Sequence, residues 1–193
     1  MKSFLLSTSL YFVLYSGHTL AQTLSLDTWP PGFSPEEASF YVENQIEIAG
    51  SPHEVWKELI QAEAWSDWYY GATEVKLIGE DQVLALDSKF SWKTMGINFV
   101  SQVKEFEPHS RLSWISSKKS IQGFHIWQII PTGNGCRVIT AESQNGWLTV
   151  MEKIFQPKKL HRQHEDWLLL LKERVEKNQL VSQSTNPVYH ESH

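Results

Sequence analysis

The chain has 193 residues, of which 41% are hydrophobic and 20% charged, a composition typical of one soluble globular domain. Its formal net charge of −5 excludes a general electrostatic attraction for nucleic acid, so we expect no nucleic-acid partner. A single cysteine, Cys136, excludes an intramolecular disulfide and a cysteine-rich metal site, and we expect a structural thiol there. Nine Trp, nine Phe and six Tyr indicate either a generously packed aromatic core or an aromatic ligand pocket.

The first 21 residues have the pattern of a secretory signal peptide. Lys2 provides a positive start, residues 4–15 are mostly apolar, and Thr19, Leu20 and Ala21 form a small-residue cleavage site. The apolar stretch is shorter than the roughly 20 residues of a transmembrane helix. We therefore expect cleavage near Ala21 and a secreted or periplasmic protein with no stable membrane insertion. An uncleaved membrane anchor is the alternative.

A proline-rich leader without sustained periodicity follows, over residues 22–39, and Trp29 and Phe33 are its expected docking points. Period-two alternation then predicts a strand over residues 41–48. Ser51 and Glu54 have the spacing of a helix-capping box, so a helix is expected to start there. A second short helix or turn is predicted directly after it, over residues 62–68.

From residue 73 the pattern is that of short antiparallel strands separated by turn signals. The predicted strands are 73–78, 83–86, 89–95, 98–106, 111–117, 123–130 and 137–144. A helical stretch over residues 146–178 follows, and Pro157 is expected to kink or divide it. Residues 179–193 lose the periodicity, so a disordered tail is expected there.

This order of elements predicts an α+β fold for residues 40–178. In the predicted fold a curved antiparallel β-sheet wraps around a long C-terminal helix, with two short helices after the first strand. We expect a cavity between the long helix and the concave face of the sheet.

Six segments of the chain resemble, in the same order, polyketide cyclase/dehydrase and lipid transport proteins of the START-like (SRPBCC) superfamily. They are 43–56 (ENQIEIAGSPHEVW), 65–69 (WSDWY), 103–114 (VKEFEPHSRLSW), 125–131 (HIWQIIP), 135–143 (GCRVITAES) and 164–172 (HEDWLLLLK). The resemblance covers roughly residues 40–178 and implies a helix-grip domain that binds an apolar small molecule. It implies no particular reaction, because the superfamily mixes carriers, sensors and enzymes and has no universal catalytic motif.

Strand alternation indicates which side chains face the expected cavity. If Lys93 lies in water, Trp92 faces inward, and the same argument places Trp114 and Trp127 on the inner face. Together with Tyr69 from the helical corner, these residues are the candidates for apolar ligand contact. Plain core packing remains the alternative for each of them.

The same alternation places His125 and Glu142 on the inner face of the last two strands, near cross-strand positions. A buried carboxylate and a buried imidazole must pair or be neutral, because an isolated buried charge is very costly. The two residues therefore form a structural pair, hold a polar group of the ligand, or act as acid and base. They are the candidates for a catalytic role if the protein is an enzyme.

His161 and His164 lie three residues apart on the apolar side of the C-terminal helix. With Glu142 or His125 this pair could form a metal site, but zinc needs three or four ligands, so the pair alone is weak evidence for one. We expect His164 to line the cavity, and we expect no metal and no cofactor.

The favoured function is a monomeric carrier or sensor that holds an apolar or amphipathic molecule (lipid, terpenoid or polyketide-like) in an aromatic-lined cavity. The alternative is a cyclase, dehydratase or isomerase that acts on an aromatic or polyketide-like substrate through His125 and Glu142. No hydrolase elbow, phosphate loop or dinucleotide fingerprint occurs in the sequence.

Overall fold

The computed structural model describes residues 29–185, with side chains described as far as Val181. The predicted signal peptide over residues 1–21, the first part of the leader and residues 186–193 lie outside this range. The strands are β1 (Phe40–Ile48), β2 (Thr73–Ile78), β3 (Lys89–Thr94), β4 (Ile97–Glu107), β5 (Arg111–Ser117), β6 (Gln122–Thr132) and β7 (Gly135–Asn145). The helices are α1 (Pro52–Ile60), a 3₁₀ helix (Ala62–Asp67), α2 (Trp147–Phe155) and α3 (Lys159–Thr185).

The seven strands form one antiparallel sheet in the order β1-β7-β6-β5-β4-β3-β2. Register shifts interrupt β2 between Thr73 and Lys76, and the β4–β5 pairing between Val103 and Glu105. Such irregularities bend a strand and increase its twist, which helps the sheet to curve. The long helix α3 packs against β1, β7 and α1, so the predicted helix-grip fold is confirmed.

Helix α1 begins at the predicted capping box. The Ser51 hydroxyl accepts a hydrogen bond from the backbone N–H of Glu54, and the Glu54 carboxylate accepts one from the backbone N–H of Ser51. Val55 and Leu59 on one face of the helix are fully buried in the core. The local sequence signal and the tertiary packing therefore agree at this helix.

The strand predicted over residues 83–86 is wrong, because this segment is a loop. The backbone N–H of Leu84 donates to the carbonyl of Ile60 at 2.8 Å, and the Leu84 side chain is fully buried. The backbone N–H of Ala85 donates to the Ser88 hydroxyl, which in turn donates to Asp81. Hydrogen bonds within the turn, and the contact of Leu84 with the end of α1, therefore hold this segment in place of strand pairing.

Pro157 divides the C-terminal helical stretch into α2 and α3, as predicted. The disordered tail expected from residue 179 is corrected for residues 179–185, which continue α3. No proline lies between Lys159 and Pro187 to end the helix, and the Asn178 side chain donates a hydrogen bond to Glu58 of α1 at 2.9 Å. None of the helices between residues 29 and 185 has the length and apolarity that a membrane crossing requires.

The described part of the leader covers the outer face of the sheet. Trp29 and Phe33 are each only 8% exposed, and their rings pack on Phe124 of β6 with centroids 5.9 and 6.0 Å apart. Their expected role as docking points is confirmed. Strand β6 is consequently buried on both faces, with Phe124 under the leader and His125 toward α3.

Candidate ligand-binding site

A cleft lies between α3 and the inner face of the sheet. Its empty volume is about 560 Å³ when solvent at the mouth is included, but water-sized spheres can be centred in only about 30 Å³ of it. The space between the side chains is therefore narrow, and a ligand much larger than water requires some of them to move. The aromatic lining residues are Tyr69, Trp92, Phe99, Trp114 and Trp167.

Six of the seven residues predicted for ligand contact line this cleft: Tyr69, Trp92, Trp114, His125, Glu142 and His164. Trp127 does not. Its side chain is on the predicted inner face, but it is fully buried beside His125, with ring centroids 5.6 Å apart. Trp127 thus supports the wall of the cleft from the core.

Trp167 is a lining residue that strand alternation could not reveal, because it lies on α3. Its ring stacks on Tyr69 with centroids 4.4 Å apart and an interplanar angle of 8°. It also meets the edge of Trp127 at 5.1 Å. The available signal was its position three residues after His164, a spacing that places both side chains on one side of the helix.

His125, Glu142 and His164 meet in the wall of the cleft, and we call them the His–Glu–His cluster. His125 on β6 stands directly opposite Glu142 on β7, as predicted, and the His125 Nδ1 lies 3.1 Å from Glu142 Oε2. His164 on α3 brings its Nε2 to 3.2 Å from the same oxygen. One carboxylate oxygen therefore connects two strands and the long helix.

The surroundings of the cluster restrict its side chains further. The Thr140 hydroxyl lies 2.8 Å from His125 Nε2, and the Gln144 amide donates to Glu142 Oε1 at 2.7 Å. Trp114 stacks on the His125 ring with centroids 4.6 Å apart and an interplanar angle of 13°. The imidazole of His125 is thus held by hydrogen bonds at both nitrogens and by an aromatic face.

The pKa values of His125 and Glu142 are both lowered, for different physical reasons. Burial lowers the pKa of His125 to about 4, although Glu142 opposes this shift, so the imidazole is neutral at pH 7. Burial alone would raise the pKa of Glu142, but hydrogen bonds from His125 and His164 outweigh it and hold that pKa well below its usual range. Among residues 29–181, no Lys or Arg pairs with the Glu142 carboxylate. The cluster therefore presents a carboxylate without a cationic partner.

Gly123 of β6 provides the space for this carboxylate. A Cβ atom at Gly123 would lie 2.9 Å from Glu142 Oε1, closer than ordinary van der Waals contact. Trp92 and Ser116, which also line the cleft, form a second polar group with the buried Ser101. The Trp92 indole donates to the Ser101 hydroxyl at 2.9 Å, and the Ser101 and Ser116 hydroxyls are 2.6 Å apart. The cleft is therefore aromatic, with the His–Glu–His cluster and the Ser116 hydroxyl as polar groups in its lining.

Two candidates from the sequence lie outside the cleft. His161 is exposed and contacts Asn44, its two ring nitrogens each 3.3 Å from the Asn44 amide nitrogen. Cys136 is fully buried, and burial raises the pKa of its thiol to about 11, so the thiol stays protonated at neutral pH. The expectation of a structural thiol agrees with this environment.

Residues 39–176 match the family model described as polyketide cyclase / dehydrase and lipid transport, and the chain belongs to this family. A search of curated proteins finds no match. Membership agrees with the helix-grip fold and with a cleft between the long helix and the sheet.

Solved structures with the same fold come from several bacteria. The hypothetical protein jhp0584 from Helicobacter pylori is 24% identical, with a TM-score of 0.72 over 79% of this chain and 98% of that one. TTHA0849 from Thermus thermophilus is 16% identical, with a TM-score of 0.60 over 72% and 99% of the two chains. The di-domain ARO/CYC StfQ from the steffimycin biosynthetic pathway is 13% identical, with a TM-score of 0.60 over 72% and 51%. At these identities the comparisons establish the fold.

Proposed function

We propose that the protein is a carrier or sensor that binds one apolar or amphipathic small molecule in the aromatic cleft. The observation that carries this proposal is the concentration of Tyr69, Trp92, Trp114 and Trp167 around a cleft with a few polar groups in its lining. Aromatic side chains offer large apolar contact areas, and ligand pockets typically combine such surfaces with a few placed polar groups. The family description, which includes lipid transport, is consistent with such a ligand.

The His–Glu–His cluster favours a ligand with a polar end. Glu142 Oε2 already accepts from two imidazoles and Oε1 from Gln144, but a carboxylate offers about four acceptor positions. A ligand hydroxyl or amine that donates to this carboxylate would orient the molecule, while its apolar part lies against the aromatic rings. A lipid, terpenoid or polyketide-like molecule with a hydroxyl group meets both requirements.

The proposal is tested by dye binding to a variant in which a larger side chain blocks the mouth of the cleft. Ile97 lines the cleft and is partly exposed, whereas Val100 on the same strand is 54% exposed and faces away. We expect wild-type protein to bind a neutral environment-sensitive dye such as Nile red at one site. Ile97→Trp should weaken that binding at least about tenfold, equivalent to about 1.4 kcal/mol. Val100→Trp, the matched control, should bind the dye like wild type.

Equal affinity in the two variants, or no saturable binding by folded wild-type protein, would contradict the proposal. Native mass spectrometry of freshly purified protein identifies the natural ligand class through any molecule that co-purifies.

The alternative function is a cyclase- or dehydratase-type enzyme. The observation in its favour is the contact of a carboxylate with two imidazoles in the cleft wall, groups that can hold and move protons. A poly-β-keto thioester substrate, followed by mass spectrometry, tests it. Turnover that is lost in Glu142→Gln and retained in His161→Gln would favour catalysis, and binding without turnover favours carriage.

We also propose export with cleavage between Ala21 and Gln22. The support is the basic, apolar and small-residue pattern of the first 21 residues. N-terminal sequencing of protein from the producing cell should begin at Gln22. Recovery of an intact Met1 on cytosolic protein would contradict export.

A further inference from the structure

The three members of the His–Glu–His cluster offer nitrogen and oxygen ligands to a common point. One ligand atom from each of the three residues lies within 4.8 Å of the other two. His125 Nδ1 and His164 Nε2 are 3.1 and 3.2 Å from Glu142 Oε2. Ligand atoms about 2.0–2.1 Å from a tetrahedral zinc ion are about 3.3 Å apart. The two nitrogen–oxygen separations are close to that spacing. The two imidazoles would have to move closer together to place a metal between all three ligand atoms.

We propose that His125, Glu142 and His164 bind one divalent transition-metal ion, with zinc as the best match, in the wall of the cleft. Two imidazoles and one carboxylate are a ligand set that zinc uses where a fourth position stays open. The cleft borders all three residues, so the open position faces the cleft. The proposal goes beyond small-molecule binding and does not rest on it.

The charge and the hydrogen bonds of the cluster favour a cation. The Glu142 side chain is 17% exposed and has no Lys or Arg partner among the described residues. A metal ion would therefore neutralise the charge of its carboxylate. Metal ligation requires each imidazole to carry its proton on the nitrogen that faces away from the ion. At His125 that nitrogen is Nε2, and Thr140 Oγ1 at 2.8 Å can accept its hydrogen bond.

The two imidazoles differ in this outer support. His164 Nδ1 is buried and has no hydrogen-bond partner within the described part of the chain. Orientation of the ligand set therefore depends on Thr140 behind His125 and on Gln144, which donates to Glu142 Oε1. Thr140 is thus a positioning residue for the proposed ion.

The sequence indicates a metal site only as a combination of His161 and His164 with Glu142 or His125. His161 and His164 are the obvious pair along the chain, but His161 lies on the surface beside Asn44. The ligands that accompany His164 come instead from two strands that precede the helix in the chain. Only the packing of α3 on the sheet brings the three together.

Titration of chelator-treated full-length protein with Zn²⁺, monitored by competition with a chromophoric chelator, tests the proposal. We expect one Zn²⁺ per chain in wild type, a loss of affinity of at least about 100-fold in Glu142→Gln and in His164→Ala, and about 10–100-fold in Thr140→Val. His161→Ala is the matched control on the same helix and should bind like wild type. His190→Ala/His193→Ala, which removes the two histidines near the C-terminus, should also leave binding unchanged.

Co²⁺ substitution gives an independent readout, because its visible absorption reports four-coordinate geometry. The proposal is overturned if folded wild-type protein takes up no stoichiometric Zn²⁺, or if the Glu142→Gln/His164→Ala double variant binds Zn²⁺ like wild type. Thermal melts of each variant establish that it is folded. Nile red binding without Zn²⁺ binding would overturn the metal site alone, whereas Zn²⁺ binding without dye binding would overturn the proposed function alone.

Discussion

The Nε2 atom of His164 on α3 lies 3.2 Å from the Oε2 atom of Glu142 on β7, and this contact joins the long helix to the sheet at a polar point in an aromatic cleft. His164 is 2% exposed, and the same Glu142 oxygen also meets His125. Removal of any one of these three side chains therefore leaves a buried polar partner unsatisfied, which lowers the free energy of unfolding. The stability of the helix–sheet contact and the chemistry of the cleft depend on the same three side chains.

A double-mutant cycle should detect this dependence. We expect His164→Ala and Glu142→Ala each to lower the free energy of unfolding by about 1–3 kcal/mol, because each leaves a buried polar partner unsatisfied. The double variant should cost less than the two single losses combined, by at least about 0.5 kcal/mol. Urea denaturation monitored by tryptophan fluorescence measures all three, with the exposed His161→Ala as control. Strictly additive losses would mean that the two residues are not energetically coupled.

Stability should fall as the pH is lowered from 6.5 to 4. Burial lowers the pKa of His125 from 6.5 to about 4, so over that interval the unfolded chain binds a proton that the folded chain does not. The stability that His125 contributes is present above pH 6.5 and is lost on acidification, by about 3 kcal/mol in all. Below pH 4.5 the lowered pKa of Glu142 adds a loss of the same sign.

Denaturant titrations at a series of pH values measure this dependence. His125→Gln should flatten the profile between pH 6.5 and 4, whereas His161→Gln should follow wild type. An unchanged profile in His125→Gln would assign the acid sensitivity to other groups.

Gly123→Ala should disturb the cluster without changing any of its members. The added Cβ would lie 2.9 Å from Glu142 Oε1, and this oxygen cannot move without stretching its hydrogen bond from Gln144. We expect a loss of about 1–3 kcal/mol, typical of overpacking in a filled site. Gly133→Ala in the β6–β7 turn, where no atom lies within 4 Å of the new Cβ, is the matched control. Equal melting temperatures for the two variants would show that the carboxylate relaxes freely.

Trp29→Ala should destabilise the fold and leave the cleft intact. Trp29 is 8% exposed and packs on Phe124 on the outer face of the sheet, away from the cleft. We expect a loss of up to about 3–5 kcal/mol, as for large aromatic residues removed from cores, with unchanged Nile red affinity. Trp147→Ala removes a tryptophan that is 66% exposed and should change stability by less than about 0.5 kcal/mol. A large loss of dye affinity in folded Trp29→Ala would link the leader to the cleft.

Most of the elements, and the facing of the strand residues, follow from local patterns in the sequence. Period-two alternation is a local property of an extended chain, so it placed Trp92, Trp114, His125 and Glu142 correctly on the inner face. The capping box at Ser51 and the break at Pro157 are also local signals, and both appear where they were predicted. The strand predicted over residues 83–86 is wrong because a short apolar run does not indicate whether the segment pairs with a strand or packs as a loop.

How α3 meets the sheet depends on packing between distant parts of the chain. Residues three apart on a helix are about 60° apart around its axis, so periodicity could not tell whether His161 or His164 points inward. Packing of α3 against β1 and β7 turns His164 and Trp167 into the cleft and leaves His161 in solvent. The small open volume of the cleft has the same origin, because the space left between aromatic rings depends on how a distant helix and a curved sheet fill it together.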